Sequence, residues 1–316
     1  MKVITVHHPH SFSSEDFPPL SMALGYFDGV HKGHQQVINT AVMEAEKRNL
    51  QSAVMTFDPH PSVVLGRKHK HVHYITPLQD KVRLIEELGV DYLFIVRFTS
   101  DFANLHPQEY VDQYIINLNV KHVSAGFDFT YGKLGKGNME TLQFHSRDKF
   151  TYTTVNKLTD EDEKISSTSI RHSLNEGEAA KVEKLLGRYY TTSGTVVHGD
   201  KRGRKIGFPT ANIELSDDYI IPRKGVYAVR LFVQGKWHNG VANLGYKPTF
   251  NNPDDKVLSI EVHIFDYNSS IYGEEVRVEW HRYIRSEQKF DGIQQLIAQI
   301  EKDKQEAIAY FQKLFV

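Results

Sequence analysis

Apolar and polar positions change their repeat several times along this chain. An apolar run at Ser21 to Phe27 gives way, after Gly33, to Val37, Ile38, Ala41, Val42 and Ala45, which share one face of a helix. The pattern then predicts a strand at Ala53 to Phe57 and a helix over Leu78 to Leu88, striped by Leu78, Val82, Ile85 and Leu88. A buried strand follows at Tyr92 to Val96. A helix from Pro107 to about Leu118 leads into a strand at His122 to Phe127, and another strand lies near Tyr152. Strands alternating with helices describe an α/β, doubly wound parallel sheet, in which ligands bind beyond the strand carboxyl ends.

The second half reads differently. Ser167 to Leu186 has a helical repeat broken at Asn175 to Gly177. Beyond Tyr189, strand-like runs occur at Thr191 to Val197, Thr210 to Leu215, Val226 to Val233, Trp237 to Leu244, Leu258 to Asp266 and Glu275 to Trp280. No helix separates them, which predicts a small antiparallel β-barrel. An apolar stripe of Ile293, Leu296, Ile297, Ile300, Ile308 and Phe311 closes the chain as a helix. The change of pattern near Gly187 divides the chain into residues 1–186 and 187–316.

Composition narrows the chemistry. The 316 residues fit two domains of ordinary size. Lys plus Arg number 38 against 39 Asp plus Glu, so no long-range field draws nucleic acid or an anionic membrane, and phosphate binding has to be local. Cysteine is absent, which removes disulfides, thiolate metal sites and a cysteine nucleophile. MKVITVHHPH lacks the apolar core of a signal peptide, and no apolar stretch reaches the roughly 18 residues that span a bilayer. The expectation is a cytoplasmic protein with small-molecule partners, no nucleic acid and no membrane; the oligomeric state stays open.

Gly25-Tyr-Phe27-Asp28-Gly29-Val-His31-Lys-Gly33-His34 lies where the first strand hands over to a helix. A helix start presents unsatisfied N–H groups and partial positive charge. Gly29 and Gly33 let a phosphate approach the backbone, and two imidazoles add donors. The spacing is not that of a Walker loop, so the histidines stand where a phosphate-binding lysine would be. Such an arrangement suits attack on the α-phosphorus of a nucleoside triphosphate with loss of pyrophosphate, where charge grows on the bridging oxygen. The plainer reading is a turn with two surface histidines.

A second motif, Ile165-Ser-Ser167-Thr168-Ser-Ile-Arg171, puts hydroxyls and a guanidinium at a helix start, where Ser and Thr otherwise serve as caps. Together with GYFDGVHKGH, with FDPHP at Phe57 to Pro61 and with GFDFTYG at Gly126 to Gly132, it resembles the prokaryotic FAD synthetase family. Members join an FMN adenylyltransferase module, built on a Rossmann-like nucleotidyltransferase sheet, to a riboflavin kinase module, and the resemblance covers essentially the whole chain. It implies that His31 and His34 contact the ATP phosphates and the transition state, with Gly25, Phe27 and Gly33 shaping that site. It further implies that Ser167, Thr168 and Arg171 hold the triphosphate and that Asp28, His60 and Asp128 line the nucleotide and flavin sites. Some members carry Asn at the positions of Tyr26 and Asp128. A buried Asp28 near phosphates needs a metal or a donor to keep its charge.

In the second domain, Gly194 to Asn212 combines a glycine-rich basic loop with the tetrad Pro209-Thr210-Ala-Asn212. Lys201, Arg202, Arg204 and Lys205 could neutralise phosphates or face water at a hairpin tip. Thr210 and Asn212 share one strand face and offer hard oxygen ligands suited to Mg2+. The pattern through His198, Gly199, Arg202, Lys205 and Gly207 to the tetrad resembles the riboflavin kinase module. A kinase also needs a carboxylate to take the proton of the attacking hydroxyl. Glu261 projects opposite to Leu258, Ile260, Val262 and Ile264, as an exposed strand glutamate would, and resembles that module's catalytic glutamate. Asn243 and Arg285 also resemble flavin- and nucleotide-binding positions, and aromatics near Phe250 could stack on a flavin ring or fill the core. The alternating His69, His71 and His73 have too few partners to favour zinc over a solvated loop.

The expected activity is therefore ATP-dependent phosphorylation of riboflavin to FMN and adenylation of FMN to FAD, with Mg2+ as the cofactor. Two rivals stand beside it. One is a nucleotidyltransferase acting on another phosphate, with a flavin-binding regulatory barrel. The other is a flavin-sensing RNA-binding protein using the Lys201 to Lys205 loop, which the net charge of -1 disfavours.

Overall fold

The computed structural model describes residues 1–66, 72–160, 163–199, 202–248 and 256–314. It divides into two compact units, Met1–Ser167 and Thr168–Val316. The helices that precede Gly187 thus cluster with the barrel, although the hydrophobic pattern changes only after them.

In the first unit, strands β1 (Lys2–Val6), β2 (Leu20–Leu24), β3 (Gln51–Asp58), β4 (Tyr92–Arg97), β5 (Val120–Gly126) and β6 (Thr151–Val155) form one sheet in the order β1-β4-β3-β2-β5-β6. Every pairing is parallel. All five residues of β2 are buried, as expected of a strand covered on both faces. Successive side chains feed opposite layers. Met22, Leu24, Met55, Phe94 and Val96 join one core with Phe102, Tyr110 and Tyr114, while Ala23, Val54, Leu93 and Ile95 meet Val37, Ile38 and Ala41 of α1 (Lys32–Arg48) and Leu84 and Ile85 of α2 (Leu78–Glu86).

Three details depart from the sequence pattern. The edge strand β1 was not predicted, because of its five residues only Val6 is buried. The first predicted strand stops at Leu24 rather than Phe27, where the backbone turns into the left-handed region (Phe27 φ 57°). The helix expected over Pro107 to Leu118 is α-helical only to Val111 and then widens into a π-helical turn, Asp112–Ile116. The Tyr110 and Tyr114 rings, both buried, stack there at 5.7 Å.

The second unit begins with α3 (Ser167–Glu176, its first residue belonging to the first unit) and α4 (Ala179–Leu186). Strands β7 (Tyr190–Val197), β8 (Ala211–Leu215), β9 (Gly225–Val233), β10 (Lys236–Pro248), β11 (Lys256–Ile264) and β12 (Glu275–Arg285) follow. They close a barrel in the order β7-β8-β11-β10-β9-β12, antiparallel throughout. Closure leaves no unpaired sheet edge. Burial alternates strictly along β7, and Trp280 inside the barrel packs edge-on to Tyr227 while its indole N–H donates to Thr192 Oγ1 at 3.1 Å.

The last helix, α5 (Ile293–Leu314), lays Ala307 and Phe311 over Val226, Ala228 and Val241. Arg285 at the end of β12 pins it, giving its Nε–H and Nη2–H to the Asp303 carboxylate at 2.9 and 2.7 Å. Asp303 is 3% exposed. Removing one partner of a buried pair strands the other charge. Asp303→Ala should therefore cost the second unit about 3 kcal/mol, read from the urea midpoint of tryptophan fluorescence, since both tryptophans, Trp237 and Trp280, lie in this unit. An unchanged midpoint would mean that the pair contributes no net stability.

Candidate active sites

In the first sheet the chain leaves β2 toward β3 on one side and leaves β5 toward β6 on the other. The strand order reverses there, which opens a crevice at the carboxyl ends of β2 and β5. The Gly25 to His34 turn rises from β2 at this point. The Gly25 amide still donates to Met55 O at 3.2 Å, and then Phe27, Gly29 and Val30 all take positive φ. His31 caps α1: its Nδ1 accepts the His34 amide at 3.2 Å. A ring nitrogen that accepts carries no proton, so Nε2 holds the hydrogen in the neutral ring. The two imidazoles stack at 3.5 Å. A Cβ on Gly33 would stand 3.2 Å from the His31 ring, a tight approach that glycine avoids. No acidic side chain occupies the first turn of α1 to offset its positive end.

Asp28, 3% exposed, accepts the backbone amides of Thr76 and Ile75 at 3.0 and 3.4 Å. Backbone donors thus meet the charge requirement raised by its burial. The Asp28 carbonyl accepts from Ser167 Oγ at 2.9 Å, which ties the beginning of the hydroxyl-rich motif to the turn. Thr168 and Arg171 lie on α3 in the second unit, Thr168 exposed and Arg171 half-buried. His60, beyond β3, accepts the Ser62 amide on Nδ1 at 3.0 Å and meets the Tyr26 ring edge-on at 4.4 Å. Asp128, beyond β5, is well exposed and paired with Lys164 at 2.7 Å.

Beneath the turn lies a residue that the sequence reading passed over. Lys81 of α2 is 2% exposed, and its Nζ donates to Tyr26 O at 3.0 Å and sits 4.1 Å from the Tyr26 ring centre. Burial lowers its pKa to about 8, against the pull of the Asp28 and Asp58 carboxylates. The signal was present: Lys81 falls between Leu78 and Ile85 on the stripe that the helical repeat assigns to the core.

In the second unit, Glu261 of β11 stands in register with Asn212 of β8 on one side and Asn243 of β10 on the other. Paired residues of neighbouring strands project to the same face. Thr210 Oγ1 donates to Glu261 Oε2 at 3.3 Å and Ser259 Oγ to Oε1 at 3.4 Å. His263 Nδ1 donates to Pro209 O at 2.8 Å, fixing the tetrad from the same strand. A cavity of about 330 Å³ opens on the other face of β8 and β11, lined by Val196, Val262, Ile264, Arg204 and Tyr272. Thr210 and Asn212 also line it, so these two residues belong both to the cavity and to the Glu261 cluster. The carboxamide of Asn212 occupies the place that a Cβ on Gly199 would take.

His198, exposed, lies 4.1 Å from the Tyr272 ring at the cavity rim. Gly207 turns the chain with φ 88° ahead of the tetrad. Arg285 is committed to Asp303, although the strand register continues the row Glu261, Asn243 and Val226 to it. The side chains of Arg202 and Lys205, and residues Lys201, Phe250, His69 and His71, lie outside the described residues.

A family model described as FAD synthetase matches residues 13–169, and one described as riboflavin kinase matches residues 186–311. The Bacillus subtilis bifunctional riboflavin kinase/FMN adenylyltransferase is 54% identical over 99% of both chains. The Listeria monocytogenes protein of the same name is 52% identical over the same shares. A solved structure called a macrolide-efflux protein, from Streptococcus pneumoniae, superposes with a TM-score of 0.86 at 36% identity, covering 96% of this chain and 97% of its own. No helix among the described residues is long and apolar enough to cross a membrane.

The Asp28 geometry yields a local test. Asp28→Ala removes the acceptor of the Ile75 and Thr76 amides, a loss of about 1.5–3 kcal/mol for charge-assisted bonds. Hydrogen exchange at these two amides should quicken by at least tenfold, and unchanged exchange would mean that the carboxylate does not hold this loop.

Proposed function

The chain belongs to the family of bifunctional riboflavin kinase/FMN adenylyltransferases, and from that premise we propose how its residues divide the two reactions. The protein converts riboflavin to FMN and FMN to FAD, with ATP as the co-substrate of both steps. We assign adenylyl transfer to residues 1–186 and the kinase to residues 187–316; the separate reach of the two family models supports this division.

In the kinase, the ribityl hydroxyl oxygen of riboflavin attacks the γ-phosphorus of ATP, its bond to the β-γ bridging oxygen breaks, and ADP leaves. Glu261 takes the hydroxyl proton as the new P–O bond forms. The observation that carries this assignment is the Thr210–Glu261 contact at 3.3 Å. It sets the base beside the two residues that also line a cavity large enough for part of a nucleotide. Thr210 Oγ1 and the Asn212 carboxamide are neutral hard oxygens, a donor set that fits Mg2+, an ion that keeps several waters. When bound, magnesium neutralises charge on the phosphate oxygens. We assign phosphate contacts to His198, Gly199, Arg202, Lys205 and Gly207 and flavin contacts to Asn243, as the resemblance of these positions to the kinase module implies. Arg285 holds α5 to the barrel through Asp303.

In the adenylyltransferase, a phosphate oxygen of FMN attacks the α-phosphorus of ATP and pyrophosphate departs. His31 and His34, at the positive end of α1, donate to the oxygen on which charge accumulates. Ser167, Thr168 and Arg171 bind the triphosphate, while His60 and Asp128 border the flavin. Asp28 serves as a buried anchor of the turn.

Separate substitutions test the division. His31→Ala and His34→Ala should each slow FAD formation by about a hundredfold or more, while FMN formation from riboflavin continues. Glu261→Ala should slow phosphorylation by at least about a hundredfold and leave supplied FMN convertible to FAD. A chromatographic time course of riboflavin, FMN and FAD reads both steps, and full FAD synthesis by both histidine variants would sink the first assignment.

A further inference from the structure

We propose that Lys81 is a positioning residue for adenylyl transfer: by fixing the Tyr26 carbonyl from below, it holds the Gly25 to His34 turn in the form that presents both histidines. The inference rests on the assignment of adenylyl transfer to that turn.

A lysine is seldom buried without a task, because removing an ammonium from water is costly. Here Nζ donates to Tyr26 O at 3.0 Å, touches Thr56 Oγ1 at 3.5 Å and lies against the face of the Tyr26 ring. Thr56 Oγ1 donates to the same carbonyl at 2.8 Å, so the Tyr26 oxygen accepts from two elements, β3 and α2, and both of its lone pairs are directed. The next residue, Phe27, has φ 57°, a conformation that costs a bulky residue energy. Orienting the preceding peptide from two sides opposes its relaxation.

What Phe27 does reaches the histidines. Its ring, 2% exposed, meets His34 edge-on at 5.3 Å, and His34 stacks on His31. The path from Lys81 to the reacting groups is thus a hydrogen bond to the Tyr26 carbonyl, the peptide link to Phe27, and the ring contacts from Phe27 to His34 and from His34 to His31. The charged groups facing Lys81 are Asp28 on the turn and Asp58 at the end of β3. Asp58 is itself paired with Arg97 of β4 at 2.6 Å, and His60 meets the Tyr26 ring edge-on at 4.4 Å. Two carboxylates near one buried ammonium keep it protonated at neutral pH, and burial brings its pKa down to about 8. As pH rises through that value the amine becomes neutral. It can still donate to Tyr26 O, but with roughly half the strength of a charged donor.

The test compares Lys81→Met and Lys81→Arg with the parent chain, reading adenylylation of FMN and phosphorylation of riboflavin separately across pH 6 to 10. Loss of one charged hydrogen bond predicts that Lys81→Met lowers kcat for FAD formation by about tenfold to a hundredfold, with KM for ATP changed less and the kinase rate unchanged. The parent enzyme should lose adenylylation activity, but not kinase activity, above about pH 8, and that limb should be missing from Lys81→Arg, whose guanidinium stays charged. If the variants fail to fold, the parent profiles still decide: alkaline limbs that coincide for the two reactions would overturn the proposal. So would a Lys81→Met enzyme with the parent kcat. That result, with His34→Ala inactive, would remove Lys81 alone, whereas active histidine variants would remove the assignment of the turn itself.

Discussion

Asp28 is 3% exposed, and a carboxylate at that depth persists only where donors meet its oxygens. Much of the first unit is arranged around this requirement. Two backbone amides from the segment before α2 reach its oxygens, and Ser167, far along the chain, bonds its carbonyl. Lys81 supplies opposite charge from within the same core. The turn that carries His31 and His34 is therefore held from three distant segments of sequence, while its own residues occupy left-handed conformations that do not persist unaided. Strain in the turn and satisfaction of the buried charge are two sides of one arrangement.

The barrel meets a comparable demand by register. A strand directs alternate side chains to opposite faces, so the shift that buries Ile260, Val262 and Ile264 also puts Glu261 and His263 on the other side. Pairing with β8 and β10 then sets Asn212 and Asn243 beside Glu261. Slipping β11 by one residue would drive the carboxylate into the core, so the packing that stabilises the barrel also enforces the constellation. Thr210 and Asn212 join the two faces because they stand at the end of β8, where the sheet gives way to the cavity.

Both units keep polar chemistry on the rim of an apolar scaffold, but they differ in what supplies the fixed dipoles. In the first, they are the backbone amides of a helix start and of a tight turn. In the second, they are side-chain oxygens on paired strands. This suits the reactions assigned to them, since the adenylyl step needs donors for a growing negative charge and the kinase step needs an acceptor for a proton.

By itself the sequence determined the alternation of strands and helices in the first unit, the six strands of the barrel and the closing helix over Ile293–Leu314, because hydrophobic period depends on which residues face a core and on little else. It also singled out as candidates the two histidines, the Pro209–Asn212 tetrad and Glu261, whose residue types stand out from their local pattern. Only the tertiary structure decided what distant segments do to one another. The edge strand Lys2–Val6 is too polar to announce itself and exists through its pairing with β4. Arg285 resembles a flavin- and nucleotide-binding position, and only the structure shows its guanidinium bonded to Asp303 on another element. The sequence pattern does not single out Lys81, whose burial follows from the crossing of α2 beneath a turn more than fifty residues earlier in the chain. Local pattern reports which face is apolar; it carries no information about which carbonyl a buried ammonium will find.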